Sequence, residues 1–177
     1  MAPIDETAFK RALGNFASGV TVLTVRTPAG ADHGMTANAF SSLSMDPPLI
    51  LVCIQNHNET YQLIQAVGAF AVNILGRDQE ERSNRFAGSV MDAHGCWQPW
   101  PEARDRFADL QYTRADASGA AFLTGCLANI DCTLEALHPG GDHGIFVGRI
   151  QQIQLPDDHS KAPLLYYGGD YGDFRIP

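Results

Sequence analysis

The amino-acid sequence predicts a mainly-β protein, a closed antiparallel barrel with a few short helices between its strands. Three observations carry that prediction. Strand-like runs outnumber helical ones, every helical segment is short, and strands and helices do not alternate as a doubly wound sheet requires. A chain of 177 residues is about one domain long and is read as a single domain over 1–177. A domain of that size buries roughly 70% of the surface its unfolded chain exposes.

The elements follow in order. Residues 5–16, DETAFKRALGNF, place Phe9, Ala12, Leu13 and Phe16 on one face of a helix with acids in its first turn. VTVLTVR at 20–26 is β-branched and strand-like, and PAGADHG at 28–34 reads as a turn. The apolar run LILVCI at 49–54 reads as a strand buried on both faces, with Pro47 and Pro48 ahead of it because proline removes ladder donors. A helix over 59–67 is closed by Gly68, and FAVNIL at 70–75 is a strand. Asp78 and Glu81 form a capping-box-like start for a helix through about Ala87, with Gly88 as its stop. Residues 89–120 read as irregular. In 127–135, Ala128, Ile130, Cys132 and Leu134 are expected to face in, and Asn129, Asp131, Thr133 and Glu135 out. GIFVGRIQQIQL at 144–155 is a further strand.

Composition narrows the function. Hydrophobic residues make up 45% and charged residues 18%, too apolar for disorder. Twelve basic against 20 acidic residues give a net charge of −8, which argues against nucleic acid or an anionic membrane as partner. Cys53, Cys96, Cys126 and Cys132 form no CxxC and read as free thiols of a reducing compartment. His94 and Cys96 have no matching ligands at zinc spacing and read as loop residues, so no metal site is expected. MAPIDETAFKR lacks the apolar core of a signal peptide, and no apolar run approaches the ~20 residues of a membrane helix. A cytoplasmic location is the expectation.

The block from His33 to Ser44, HGMTANAFSSLS, is the most informative. Its small residues let a ligand approach backbone N–H groups, and its hydroxyls and amide add donors. A flat heteroaromatic ring with a phosphate tail uses that mixture, although a polar turn or strand rim has the same composition. Neither GxGxxG nor a Walker loop is present.

In sequence order, FKRALGNFASGVTVLT, HGMTANAFSSLSMDPPLILVCI, FAVNIL, NRFAG, ANIDCTLEA at 128–136, GGDHGIFVGRI and PLLYYGGDY resemble the flavin reductase-like family. These are reductase components of two-component flavin-dependent monooxygenases. The resemblance implies an FMN-binding split barrel, a Greek-key β-barrel with short flanking helices, paired as a homodimer with flavin sites near the interface. It implies FMN or FAD as flavin, NADH or NADPH as hydride donor, and a separate monooxygenase that receives reduced flavin. By similarity, Thr36, Ala37, Asn38, Ala39 and Phe40, with Ser41 or Ser42, line the ring and ribityl chain. Cys53, Ile54 and Gln55 sit against the ring, Asn58, Glu59 and Thr60 lie near the phosphate, and Arg85 with Phe86 closes over the cofactor. Tyr171, in the last segment, joins the cofactor-binding set, and His143 holds the nicotinamide against the flavin as the catalytic-site residue.

Two of these residues also have plainer readings. His143 fits a hairpin turn, and Arg85 at the end of its helix complements the helix dipole. Trp97 and Trp100 receive no role. Two departures from the family pattern predict a loose grip on phosphate: Asn58 stands where a hydroxyl is common, beside Glu59, and Gly168 where relatives often place an arginine. A non-catalytic flavin carrier or sensor is the alternative function. An oxidase of the pyridoxamine-phosphate type needs a basic cluster that this acidic sequence does not display.

Overall fold

The computed structural model describes residues 4–101, 104–158 and 160–172. Met1–Pro3, part of the N-terminal stretch considered above, lie outside the described residues. A seven-stranded antiparallel sheet dominates. Its strands are β1 (Thr21–Arg26), β2 (Asp32–Ala37), β3 (Phe40–Met45), β4 (Pro48–Gln55), β5 (Ala69–Ile74), β6 (Ala128–Gly140) and β7 (His143–Gln154). Their spatial order is β2-β1-β5-β6-β7-β4-β3. The two edge strands, β2 and β3, are therefore consecutive in sequence and joined by Asn38 and Ala39 alone. A sheet with that connection must curl until its edges meet at one end, which makes it a barrel split along one seam.

Two apolar layers hold the sheet. Leu23, Val25, Ile50, Val52, Ile54, Phe70, Val72 and Phe146 fill the concave side, and helix α2 (Glu59–Val67) plugs it with Ile64. Val20, Val22, Leu75, Phe86, Phe107, Leu123 and Leu164 pack on the other side, under helix α3 (Glu80–Phe86) and the segment that follows it. β1 is consequently buried on both faces. Asn58 caps α2, its side chain accepting from Thr60 N–H at 2.9 Å, and Gly68 closes that helix at φ 73°.

Several expectations need correction. Helix α1 (Glu6–Gly14) forms and stops short of Phe16, but Phe9, Leu13 and Phe16 are exposed, because no element among the described residues covers them. The turn expected over 28–34 ends early, since pairing with β1 recruits Asp32 to Gly34 into β2. In β4 only Ile50, Val52 and Ile54 are buried, and the alternate residues Leu49, Leu51 and Cys53 are half-covered. Pro48 begins that strand, where a missing donor is tolerated.

Asp78 does not cap α3: Gln79 accepts from Gly76 N–H at 2.9 Å, and Asp78 faces Lys161 at 3.5 Å. Asn129 and Asp131 are buried instead of outward, because the hairpin of Tyr112–Arg114 and Ala121–Leu123 covers that face. Asp131 accepts from Ala117 and Ser118 N–H, and Asn129 donates to Asn73 and Leu123. The stretch read as irregular holds a second small hairpin, Ser89–Met91 with Trp97–Pro99. Near the end of the chain, Leu165–Tyr167 and Asp170–Gly172 form a hairpin the sequence reading did not anticipate. Among the described residues no helix is long and apolar enough to cross a membrane.

Candidate functional site

Two cavities lie back to back along the seam of the barrel, sharing Thr36, Ala37, Asn38 and Ala87 as a common wall. Their volumes are about 670 and 650 Å³, within the range of small-molecule sites. The wall is thin because the chain there is a strand end followed by a two-residue link. Thr36 fixes it to α3 by donating to the Ser83 carbonyl at 2.6 Å.

The first cavity is aromatic and acidic. Trp97, Tyr166 and Tyr171 line it with Ser83, Asn84, Glu80 and Asp170. Tyr166 and Tyr171 meet edge to face with ring centroids 5.5 Å apart. The Tyr171 hydroxyl bonds Ser83 at 2.8 Å and donates to Asn84 at 3.2 Å. Burial pushes that phenol above its ordinary range.

The second cavity collects most of the residues expected at a cofactor. Thr36, Ala37, Asn38 and Ala39 face Cys53, Ile54 and Gln55 across it, with Asn58, Glu59 and Thr60 at one end and His143 on the rim. Phe86 forms part of its lining, and it reaches there because residue 34 is glycine. A Cβ on Gly34 would lie 2.6 Å from the Phe86 ring, closer than any tolerated contact. His143 opens β7 opposite Gln55, and its Nδ1 lies 2.7 Å from Asp142 Oδ1.

The same cavity holds two basic side chains, His33 and Arg106, that sequence reasoning passed over. His33 Nε2 lies 2.8 Å from the Thr60 hydroxyl, and its Nδ1 3.7 Å from Glu59. Burial pushes the His33 imidazole below its ordinary value; the Glu59 carboxylate opposes that shift and the Arg106 guanidinium adds to it. Arg106 is carried by the segment 104–110, where Phe107 anchors against Phe86 with centroids 5.1 Å apart. Arg106 Nη1 reaches the Phe86 carbonyl at 3.5 Å. His33 was legible as the first residue of the HGMT block; Arg106 sits in aperiodic sequence and carried no signal.

Four expected residues lie elsewhere. Phe40 turns into the barrel core, and Ser41 and Ser42 are exposed on edge strand β3. None of the three lines either cavity. Arg85 also lines neither. It is buried behind α3, donating to the Ala108 carbonyl at 2.5 Å and stacking 4.8 Å from the Trp100 ring, whose indole Arg104 also approaches at 4.7 Å. Arg106 occupies the cavity wall where Arg85 was expected. Gly168 and Gly169 make the tight turn of the C-terminal hairpin at φ 64° and 100°, a geometry that disfavours an arginine at 168.

The second cavity fits a flavin on its own chemistry. Small residues expose backbone along one wall, apolar Ile54 and Cys53 oppose them, and a hydroxyl, an imidazole and a guanidinium converge at one end. The family model for the flavin reductase like domain matches residues 13–175. An NADH-dependent flavin reductase from a Rhodococcus species is 38% identical over 169 residues, covering 94% of this chain and 85% of the relative. The reductase component of 4-hydroxyphenylacetate 3-monooxygenase from Thermus thermophilus is 35% identical, covering 93% of each. The solved structure of the NADH:FAD oxidoreductase SgcE6 from Streptomyces globisporus superposes with a TM-score of 0.85 at 31% identity, covering 99% of this chain and 97% of that one.

Proposed function

The chain belongs to the flavin reductase-like family, and from that premise we propose that the second cavity binds flavin and that the protein reduces it with NADH for a separate monooxygenase component. The observation that carries this reading is the joining of a flat, small-residue wall to an end that gathers Thr60, His33 and Arg106 in one cavity, with His143 on its rim. When bound, the flavin supplies the redox chemistry, accepting a hydride from the nicotinamide. The protein's contribution is to hold and orient. Thr36 to Ala39 offer backbone and amide groups to the ring edge, and Ile54 with Cys53 packs against its face. Thr60, His33 and Arg106 receive the phosphate end. His143, braced by Asp142, positions the nicotinamide, where orientation supplies effective molarity. The neighbouring cavity, with Trp97, Tyr166 and Tyr171 and no cation among the described residues of its wall, suits the flat uncharged part of a dinucleotide.

The test is NADH oxidation followed at 340 nm with FMN and with FAD. Flavin-dependent turnover is expected. Absence of turnover with either flavin and either nicotinamide overturns the enzyme reading in favour of a flavin carrier.

A homodimer is part of the same proposal. Leu43 and Met45 are exposed on the edge strand β3, beside the half-covered Leu49 and Leu51 of β4, and a second copy would cover such a surface. Sedimentation showing only a species of 19.2 kDa at micromolar concentration would overturn it.

A further inference from the structure

The phosphate end of the second cavity has an unusual make-up. Its helix terminus is partly spoken for, because Asn58 already accepts from Thr60 N–H at 2.9 Å. The strongest remaining donors are side chains: the Thr60 hydroxyl, His33 and Arg106. A carboxylate, Glu59, stands among them and is 74% exposed. We propose that His33, Glu59 and Arg106 form a proton-gated seat for the flavin's phosphate, holding it when His33 is protonated and loosening when His33 is neutral. This rests on the flavin reading above.

The gate follows from the hydrogen-bond geometry. With Nδ1 3.7 Å from the Glu59 carboxylate and Nε2 2.8 Å from the Thr60 hydroxyl, the gate has neutral His33 carry its proton on Nδ1, the side that faces negative charge. Nε2 is then an acceptor, and the Thr60 hydroxyl, 2.8 Å away, donates to it. In that state Thr60 offers an incoming anion only lone pairs. Protonation reverses the bond: Nε2–H donates to Thr60, whose own hydrogen is freed for the phosphate, and the imidazolium adds a full charge beside Arg106. The charged groups facing His33 are Glu59 from α2 and Arg106 from the 104–110 segment. Phe86 of α3 brings no charge. His57 and His143 line the cavity further along. Asp32, next in sequence, is engaged by Arg114, Tyr112 and Arg26.

The sign is set by linkage. Burial keeps His33 deprotonated in the free protein to lower pH than an ordinary imidazole, and a bound phosphate raises its proton affinity. Binding therefore takes up a proton between the two values, and affinity falls as pH rises through that window.

FAD is the probe, because its diphosphate does not titrate near neutrality whereas the phosphate monoester of FMN does, near about pH 6. Riboflavin, which lacks phosphate, is the control. Binding of both is measured by equilibrium dialysis from about pH 5.5 to about 8.5, bracketing the ordinary imidazole value of about 6.5. FAD affinity is expected to fall with rising pH by up to about tenfold per unit, the limit for one proton, and riboflavin affinity to stay flat. His33→Asn removes the slope. Arg106→Gln keeps the slope, moves the fall to higher pH and weakens FAD by about ten- to a hundredfold at either end of it. Glu59→Gln, at an exposed position, moves the fall to lower pH. A slope that persists in His33→Asn, or an equal slope with riboflavin, overturns the gate while leaving the flavin site intact. Failure of FAD and riboflavin alike to bind at any pH overturns the flavin reading itself.

Discussion

The two cavities share a wall and nearly the same volume, yet they are chemical opposites. One gathers His33, Arg106 and His143 around a helix end. The other gathers aromatic rings, hydroxyls and the acids Glu80 and Asp170. A chain with a net charge of −8 thus keeps a local basic pocket by gathering a guanidinium and imidazoles at a single cavity. Global charge excludes extended polyanion surfaces. It says little about a single phosphate.

The largest effect that would sharpen this contrast is on the rim. His143→Ala is expected to lower NADH turnover about a hundredfold, the scale of a lost positioning contact, while flavin affinity stays unchanged. A large loss of flavin binding with hydride transfer intact would move His143 from the nicotinamide to the flavin side.

A smaller effect comes from the floor of the basic cavity. Gly34→Ala drives a Cβ to within 2.6 Å of the Phe86 ring, and overpacking of this kind costs about 1–3 kcal/mol. The melting temperature is expected to drop by about 2–4 °C for each kcal/mol, with weaker flavin binding. An unchanged melting temperature would show that Phe86 is free to move.

The smallest effect lies in the aromatic cavity. Tyr171→Phe removes the hydroxyl shared by Ser83 and Asn84, a loss of about 1 kcal/mol in stability by denaturant unfolding. The pH dependence of FAD affinity is expected to match that of the wild type. A changed profile would mean that the cavities are electrically coupled through their common wall.

Much of this architecture was legible because local signals and tertiary packing agree. Helix α2 announced itself through the stretch from Asn58 to Gly68, and the strands through β-branched runs. The exceptions share one cause: periodicity identifies an apolar face without saying what covers it. Phe9, Leu13 and Phe16 form the expected stripe, and nothing among the described residues packs on it. Asn129 and Asp131 looked solvent-facing, but a hairpin supplied by residues 112–123 closes over them and gives each hydrogen-bond partners. Within the site, the resemblance carried over the wall from Thr36 to Ala39 and the end at Asn58 to Thr60. It did not foresee that Phe40 turns inward while Ser41 and Ser42, on an edge strand beside a register shift, are both exposed. Nor could it separate Arg85, within α3, from Arg106, in the segment after that helix, since the packing of Phe107 on Phe86 is what brings Arg106 to the cavity.

The seam has one more consequence, for how the molecule assembles. β2 and β3 stand at opposite ends of the sheet order, the pair a folding chain would ordinarily find last. Here only Asn38 and Ala39 separate them. The entropy of closing a loop grows with its length, so bringing these two edges together needs almost no search. The slow steps fall instead on distant pairings, such as β1 with β5, whose partners Thr24 and Ala71 lie far apart in sequence. The wall from Thr36 to Ala39 is therefore among the most local parts of the barrel, and its closure carries less entropic cost than the long-range pairings of the sheet.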